Sequence, residues 1–214
     1  MLPQPAITYS QPSDWVRQHL REDFSMSAFA QGQRVLDVGC GYGRDLDALR
    51  EAGIEAVGVD PDPAAVDYCV TRGLSVTQAP AESLPFPDAS FDGVVLDGAL
   101  QFTSPALALA EAARVLRPGG TLLLATQGPG YAMHLTQIRR GRSRLFGLRT
   151  MVNGAWYAVT GQRLPGWLGD TLCFTPGQVA RLCEGAGFTV VEVTEGLRHW
   201  GLPVFLYLRL SRRE

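Results

Sequence analysis

The sequence predicts an α/β fold built around a mostly parallel sheet. Short apolar segments alternate with helical ones, and glycines or prolines stand at most of the junctions between them. Of the 214 residues 46% are hydrophobic and 19% charged, which fits one domain with an insertion and excludes global disorder. The formal net charge of −2 argues against a general binder of polyanions.

The predicted elements alternate through the first part of the chain. Strands are predicted over residues 34–38, 55–59, 74–77, 91–96 and 121–125. Helices are predicted over residues 13–24, 44–53, 61–73 and 105–118, from proline and glycine start and stop signals. A further helix begins at Pro176, and strands over residues 188–193 and 204–210 predict an antiparallel hairpin.

Residues 127–173 interrupt this alternation, because they are too many for an ordinary connection between a strand and a helix. From residue 112 to residue 169 the chain carries eight Arg and no Asp or Glu. In open α/β sheets ligands bind outside the carboxyl ends of the strands. We therefore expect residues 127–173 to form a cap over that edge of the sheet.

A glycine-rich turn follows the first predicted strand. Gly39, Gly41 and Gly43 stand directly before a predicted helix, so a ligand can approach the backbone and the free N–H groups of the helix N-terminus. Asp60 ends the second strand, where its carboxylate can face the turn and accept hydrogen bonds from both hydroxyls of a ribose. An alternative role for Asp60 is to cap the next helix, and one residue can do both.

Four segments together resemble a known enzyme family. They are VLDVGCGYG (residues 35–43), GVDPD (58–62), AESLPFPDASFDGVVLDGAL (81–100) and ARVLRPGGTLLLAT (113–126). In this order they are similar to class I S-adenosylmethionine-dependent methyltransferases, in particular to the small methyltransferases related to the ubiquinone and menaquinone C-methyltransferases. The resemblance covers about residues 30–126, and residues 174–210 fit it more loosely.

The resemblance implies a Rossmann-like seven-stranded sheet of order 3-2-1-4-5-7-6, with the last strand antiparallel and helices on both faces. It divides the chain into an S-adenosylmethionine-binding core, residues 1–126 and 174–214, and an inserted acceptor-binding cap, residues 127–173. The cofactor is expected to be S-adenosylmethionine. Asp37, Gly39 and Gly41 are expected to contact its methionyl end, and Asp97 and Gly98 to lie beside the transferred methyl. Asp60 is expected to bind the ribose, and the adenine is expected to contact Pro61, Ala81 and Glu82.

The sequence departs from the family pattern at two positions. Pro80 stands where members often carry Asp or Asn for the adenine amino group, so adenine recognition falls to the backbone of Ala81 and Glu82 or to the Glu82 carboxylate. Losing one such contact costs about 1 kcal/mol, which weakens binding without abolishing it. Gln101 and its neighbours replace a frequent His after the fourth strand, which removes an obvious general base.

The catalytic residues are not identified by the sequence. Tyr131, His134 and His199 are candidates for a general base, and each has a packing role as the alternative. The aromatic residues of the predicted cap either wall an apolar acceptor pocket or pack the cap itself; they are Trp156, Tyr157, Trp167 and Phe174.

The arginines between residues 139 and 144 have three interpretations: a solvated helix face, a site for an anionic acceptor, or a contact with acidic lipid or RNA. They are Arg139, Arg140, Arg142 and Arg144. The apolar residues that flank them are compatible with an amphipathic lid.

Methyl transfer to a small organic acceptor, apolar or anionic, is the expected function. RNA methylation and a non-catalytic S-adenosylmethionine-binding regulator are the alternatives. Nucleic acid and metal are not expected as partners, since no RNA-binding module is visible and the four Cys show no metal-ligand spacing. We expect a cytoplasmic protein with at most peripheral membrane contact, because no leader-type segment or long apolar run is present.

Overall fold

The computed structural model describes residues 28–138 and 142–214, with the side chains of residues 136–138 and 142–144 outside the description. The helix expected over residues 13–24 therefore lies outside the described residues. The strands are β1 (Arg34–Val38), β2 (Glu55–Asp60), β3 (Val76–Gln78), β4 (Phe91–Asp97), β5 (Leu116–Gln127), β6 (Phe188–Glu195), β7 (Arg198–His199), β8 (Leu202–Pro203) and β9 (Phe205–Arg212).

Seven strands form one sheet in the order β3-β2-β1-β4-β5-β9-β6, and β7 pairs with β8 separately. Because β9 is the seventh strand of the main sheet along the chain, this is the expected order 3-2-1-4-5-7-6. The first five strands of the sheet are parallel, and β9 runs antiparallel to both β5 and β6. The predicted fold class and hairpin are therefore confirmed.

The helices are α1 (Arg44–Glu51), α2 (Pro63–Thr71), α3 (Pro105–Val115), α4 (Pro129–Ile138), α5 (Arg142–Thr160) and α6 (Pro176–Gly185). The side chain of Asp62 caps α2 by accepting a hydrogen bond from the Ala64 N–H at 3.0 Å. Thr175 and Gln178 form a reciprocal capping box at the start of α6.

Two predicted boundaries are wrong by a few residues. Helix α3 ends at Val115 rather than near residue 118, because Leu116 is extended and pairs with Phe91 at the start of β5. Strand β3 begins at Val76 rather than at Leu74, whose side chain is buried in the cluster between α1 and α2.

The sheet is covered on both faces. In β1 the buried side chains alternate between two separate apolar clusters, with Leu36 in one and Val35 in the other. Strands buried on both faces read as continuous apolar runs, which is why β1, β4 and β5 are evident from the sequence. Parallel pairing places the carboxyl ends of β1, β2 and β4 side by side, and the loops that carry the candidate site follow these ends.

The segment between β5 and α6 contains α4, α5 and a short 3-10 helix (Gly166–Gly169). It is fastened to the loop after β4 by Arg163, whose guanidinium donates hydrogen bonds to the backbone oxygens of Gly169 at 2.7 Å, Gln101 at 2.8 Å and Thr103. Among the described residues, no helix has both the length and the apolar character needed to cross a bilayer.

Candidate functional site

The turn between β1 and α1 is held against the end of β2. The N–H groups of Gly39 and Cys40 both donate to the backbone oxygen of Val59, at 2.8 and 3.1 Å. Gly39 has a φ of 77°, and a Cβ placed on it would lie 2.5 Å from the Cβ of Ala99 in the loop after β4. Glycine at this position therefore allows the β1 and β4 loops to approach each other closely.

The carboxylate of Asp60 is turned toward this glycine turn, as the sequence predicts. Its Oδ2 accepts a hydrogen bond from the Gly41 N–H at 2.8 Å, and its Oδ1 accepts one from the Asp62 N–H at 2.9 Å. The residue is 7% exposed. Asp62 rather than Asp60 supplies the side-chain cap of α2, so the alternative role of Asp60 as a helix cap is wrong.

Asp37 lies within the same edge of the sheet and is 2% exposed. Its Oδ2 is buried and has no hydrogen-bond partner among the described residues. Burial raises the pKa of Asp37 well above its usual range, and the nearby carboxylates of Asp45 and Asp97 raise it further. A buried carboxylate of this kind calls for a cationic partner.

Asp97 ends β4 and forms an ion pair with Arg44, the first residue of α1. Burial and the charge of Asp45 raise the pKa of Asp97 to about 6, although Arg44 acts in the opposite direction. The guanidinium of Arg44 also donates to Asp45 at 2.8 Å, so three charged side chains close one side of the site.

The sequence reasoning missed the role of Arg44. A signal was available, because a cation in the first turn of a helix is disfavoured by the helix dipole unless an acidic partner lies nearby. Asp45 follows it directly, and the structure adds Asp97 from β4, which pairs with β1 in the sheet.

The expected adenine side of the site is already partly engaged. Ala81 is buried, and Glu82 accepts a hydrogen bond from the Ser104 N–H at 2.6 Å, which leaves one oxygen of its carboxylate for other contacts. Pro61 is exposed, and its backbone oxygen accepts from the Gln78 side chain at 3.2 Å. These contacts fix the loops around the expected position of the adenine.

Gln101 is the second residue whose role was not foreseen. Its buried side chain donates to the backbone oxygen of Gly98 at 2.6 Å and accepts from the Thr126 hydroxyl at 3.1 Å. It thereby ties the loop after β4 to the end of β5. The residue that replaces the family's frequent His is thus a structural brace for Gly98.

The three candidates for a general base lie in one region at the carboxyl end of β5. Tyr131 and His134 are on α4, and His199 is in β7. The ring of His134, which is buried, meets the ring of His199 edge to face at 5.4 Å, while Tyr131 packs against Phe205 at 5.7 Å. The structure therefore brings the two histidines together, and their part in catalysis stays a prediction.

The aromatic residues expected around the acceptor separate into two groups. Tyr157 packs against the buried Phe174, with ring centroids 6.2 Å apart. Trp156 and Trp167 are exposed, at 48% and 63%. Arg139 and Arg140 lie outside the described residues; Arg142 and Arg144 lie in the first turn of α5, with side chains outside the description.

Comparison with known proteins agrees with this arrangement. A family model described as a methyltransferase domain matches residues 36–124. A demethylmenaquinone methyltransferase of Renibacterium salmoninarum is 31% identical over 64% of this chain and 60% of its own length. A solved S-adenosylmethionine-dependent methyltransferase from Mesorhizobium loti shares the fold, with a TM-score of 0.66 and 20% identity over 88% of this chain and 94% of that chain. Residues 36–124 therefore match a methyltransferase domain, and the chain has the fold of a solved S-adenosylmethionine-dependent methyltransferase.

A second relative is the fatty-acid O-methyltransferase of Mycolicibacterium smegmatis, which is 34% identical over 60% of this chain and 50% of its own length. The chain spans about half the length of the curated relatives it matches. The matched domain is described as a methyltransferase domain, and the solved protein from Mesorhizobium loti that shares the fold is described as S-adenosylmethionine-dependent.

The residues of the candidate site carry groups that are suited to S-adenosylmethionine. A Cβ placed on Gly41 would meet no atom within 4 Å, so open space lies against the backbone of the turn. The unpartnered Oδ2 of Asp37 is an acceptor suited to an ammonium group, and the Asp60 carboxylate is suited to ribose hydroxyls. In the described part of the chain, no group of three or more His, Cys, Asp or Glu is arranged to hold a metal ion.

Proposed function

We propose that this protein transfers a methyl group from S-adenosylmethionine to a small organic acceptor that is apolar or anionic. The observation that carries the proposal is the contact between the Asp60 carboxylate and the Gly41 N–H at 2.8 Å, beside the buried Asp37. Turn and carboxylate together make the cradle that a methyl-donor nucleoside requires at this edge of the sheet.

The proposal assigns each cofactor contact to a part of the ligand. Asp60 and Pro61 hold the ribose and the face of the adenine, and the loop of Ala81 and Glu82 holds the adenine edge. The methionyl end lies against the residues that follow β1 and β4, namely Asp37, Gly39, Gly41, Asp97 and Gly98. When bound, S-adenosylmethionine supplies an electrophilic methyl group on a sulfonium centre.

The protein's own contribution is mainly alignment. Orientation of two reactants in one site can supply roughly 7–11 kcal/mol of the barrier reduction. Gln101 fixes Gly98 beside the reacting region, and Arg163 fastens residues 127–173 over the same loop. We assign residues 127–173 as the cap that orients the acceptor and excludes water from it.

The need for a general base depends on the acceptor. A carboxylate acceptor enters already ionised, and no proton has to be removed from it. A hydroxyl or a carbon acid enters protonated, and the pair of His134 and His199 with Tyr131 is the group of side chains placed to take that proton. Two relatives are a fatty-acid O-methyltransferase and a demethylmenaquinone methyltransferase, and their names support an acceptor of lipid character.

The experiment separates the proposed enzyme from a binding protein and from an RNA methyltransferase. The first measurement is a calorimetric titration of the purified protein with S-adenosylmethionine, for which saturable binding at one site is expected. The second supplies the tritiated methyl donor together with cell extract divided into RNA, protein, lipid and polar small-molecule fractions. Label is expected in the lipid or the polar fraction.

Three results would contradict the proposal. Absence of binding would remove the cofactor assignment. Binding without label in any fraction would favour a regulatory protein, and label that enters RNA and is released by ribonuclease would favour RNA methylation. A matched incubation with S-adenosylhomocysteine, the expected product, should suppress the label and serves as the control.

A further inference from the structure

Helix α5 turns its polar and small residues inward. Asn153 is fully buried, and its side chain donates to the backbone oxygen of Thr171 at 2.8 Å and accepts from the Leu164 N–H at 2.9 Å. Gly154 lies so close to Cys173 that a Cβ on it would be 2.8 Å from the Sγ atom. The inner side of α5 is therefore held by hydrogen bonds and close backbone approach.

The opposite side of α5 is apolar and exposed. Every exposed residue from position 145 to position 159 is apolar. Five of them recur at intervals of three or four residues and form one stripe along the helix, which we call the outer face of α5; they are Leu145, Leu148, Val152, Trp156 and Val159. Val159 is 86% exposed. This pattern is the reverse of a surface helix that packs an apolar stripe on the core.

The sequence around the outer face is basic. Four arginines stand in residues 139–144, directly before the stripe and within its first turn, and no Asp or Glu occurs from residue 112 to residue 169. In the part of the chain that the structure describes, Asp170 pairs with α5 by accepting a hydrogen bond from Arg149 at 3.3 Å. An exposed apolar stripe with arginines at one end is the composition of a helix that lies in a membrane interface.

We propose that the outer face of α5 docks this protein on the surface of an anionic lipid bilayer. The helix lies parallel to the bilayer, and its apolar stripe enters the boundary between headgroups and acyl chains. The surplus of arginine over acid in the surrounding sequence favours anionic headgroups. Trp156 stands in the middle of the stripe and suits the headgroup level, where indole rings are favoured. Docking here would bring the cap to the phase that holds an acceptor of lipid character, and this last consequence rests on the proposed function.

Charge decides against a second copy of the chain as the occupant. Two outer faces in contact would bring two acid-free segments together, each with four arginines beside the stripe. Like charges placed opposite each other disfavour such an interface, whereas an anionic bilayer supplies the opposite charge.

The test is sedimentation of the full chain with sucrose-loaded vesicles. Vesicles of phosphatidylcholine alone are compared with equimolar phosphatidylcholine and phosphatidylglycerol, in low and in high sodium chloride. We expect binding to the anionic vesicles to exceed binding to the neutral ones by at least about tenfold and to weaken in high salt. Replacing the four arginines of residues 139–144 with Gln should remove most of this preference.

A matched pair of variants tests the apolar stripe. The triple change Leu148→Gln, Val152→Gln and Trp156→Gln should reduce the partition coefficient by at least about tenfold. The control carries Val70→Gln, Leu107→Gln and Val191→Gln, three residues of similar exposure on α2, α3 and β6, and should bind as the unchanged protein does. If the triple variant does not fold, Val152→Glu alone places an acid in the acid-free segment and should give the same direction of change.

Several results would overturn this inference. Equal binding to neutral and anionic vesicles, or equal loss in the control and the outer-face variant, would do so. A dimer of the unchanged protein in light scattering that the outer-face variant converts to a monomer, without vesicle binding, would assign the face to a second copy. Calorimetric binding of S-adenosylmethionine by each variant keeps these outcomes separate from failure of the proposed function.

Discussion

Helices α1 and α5 are built in opposite ways. In α1 the buried side chains are Leu46 and Leu49, and the charged residues face solvent or the candidate site. In α5 the buried side chains include Asn153 and Thr150, and the exposed ones from position 145 to position 159 are apolar. The first helix is therefore held mainly by apolar burial and the second by hydrogen bonds to backbone. The comparison teaches that an apolar stripe marks the core only when the helix has no specific polar partners on its other side.

The sharpest test of this comparison is the same substitution in both helices. Leu49→Ala should lower the free energy of unfolding by about 3 kcal/mol, because the residue is fully buried in the cluster with Val35 and Val95. Leu148→Ala on the outer face of α5 should change it by less than about 0.5 kcal/mol. Urea unfolding monitored by circular dichroism measures both, and equal losses would mean that the outer face is covered in solution.

The glycine turn beside α1 should depend on one carboxylate for ligand binding. Asp60→Ala should weaken S-adenosylmethionine binding at least about 100-fold, which corresponds to roughly 2.7 kcal/mol, because hydrogen bonds to a charged acceptor are lost. Calorimetry measures the change. Asp88→Ala, an exposed acid paired with Arg114, is the control and should bind normally. Unchanged affinity in the Asp60 variant would contradict the ribose assignment.

The stability of α5 should depend on Asn153, as the stability of α1 depends on Leu49. Asn153→Ala should cost about 2 kcal/mol in unfolding free energy, since the Thr171 oxygen and the Leu164 N–H both lose a buried partner. Thr160→Ala removes an exposed hydrogen bond in the same helix and should cost much less. If both variants are equally stable, α5 is not held by its polar inner side.

The smallest expected effect concerns Asp37, the buried acid of β1. A carboxyl whose pKa is raised in the folded protein destabilises it as pH rises, from near 4 where the unfolded chain ionises. Asp37→Asn should therefore stabilise the ligand-free protein by about 1 kcal/mol at pH 7.5 and by less near pH 4. Thermal melts across this range, with and without S-adenosylmethionine, are the measurement. The stabilisation by ligand should be lost in the variant; a lower melting temperature at pH 7.5 would show that Asp37 has a cationic partner in the free protein.

Much of the fold could be predicted because it depends on local signals. The strands β1, β2 and β4 are evident as mainly apolar runs. The glycine turn and the Asp60 carboxylate stand at the ends of β1 and β2, so their position at one edge of the sheet could be predicted from their position in the sequence. The resemblance supplied the strand order, which local patterns do not contain. Boundaries such as that of α3 were missed because pairing of Leu116 with Phe91 outweighs the helix signal.

The contacts of the cap could not be predicted because they join residues far apart in the sequence. Asn153 reaches Thr171, and Arg163 reaches the loop after β4, through partners that are backbone atoms and leave no trace in side-chain composition. The apolar residues of α5 are consistent with an inward or an outward stripe from the sequence alone. The hydrogen bonds of Asn153 with Thr171 and Leu164 turn the polar side of α5 inward, and the apolar stripe therefore faces outward.

The place of β9 in the sheet has a consequence for biosynthesis. Strand β9 lies between β5 and β6, although both of these leave the ribosome before it. Until residues 205–212 emerge, β6 has no neighbour and β5 has one open edge, so the parallel half of the sheet can assemble first while the rest waits for the closing strand. Nascent chains arrested before this point should expose two strand edges that β9 covers in the complete sheet, and this is the stage at which a chaperone has most to protect.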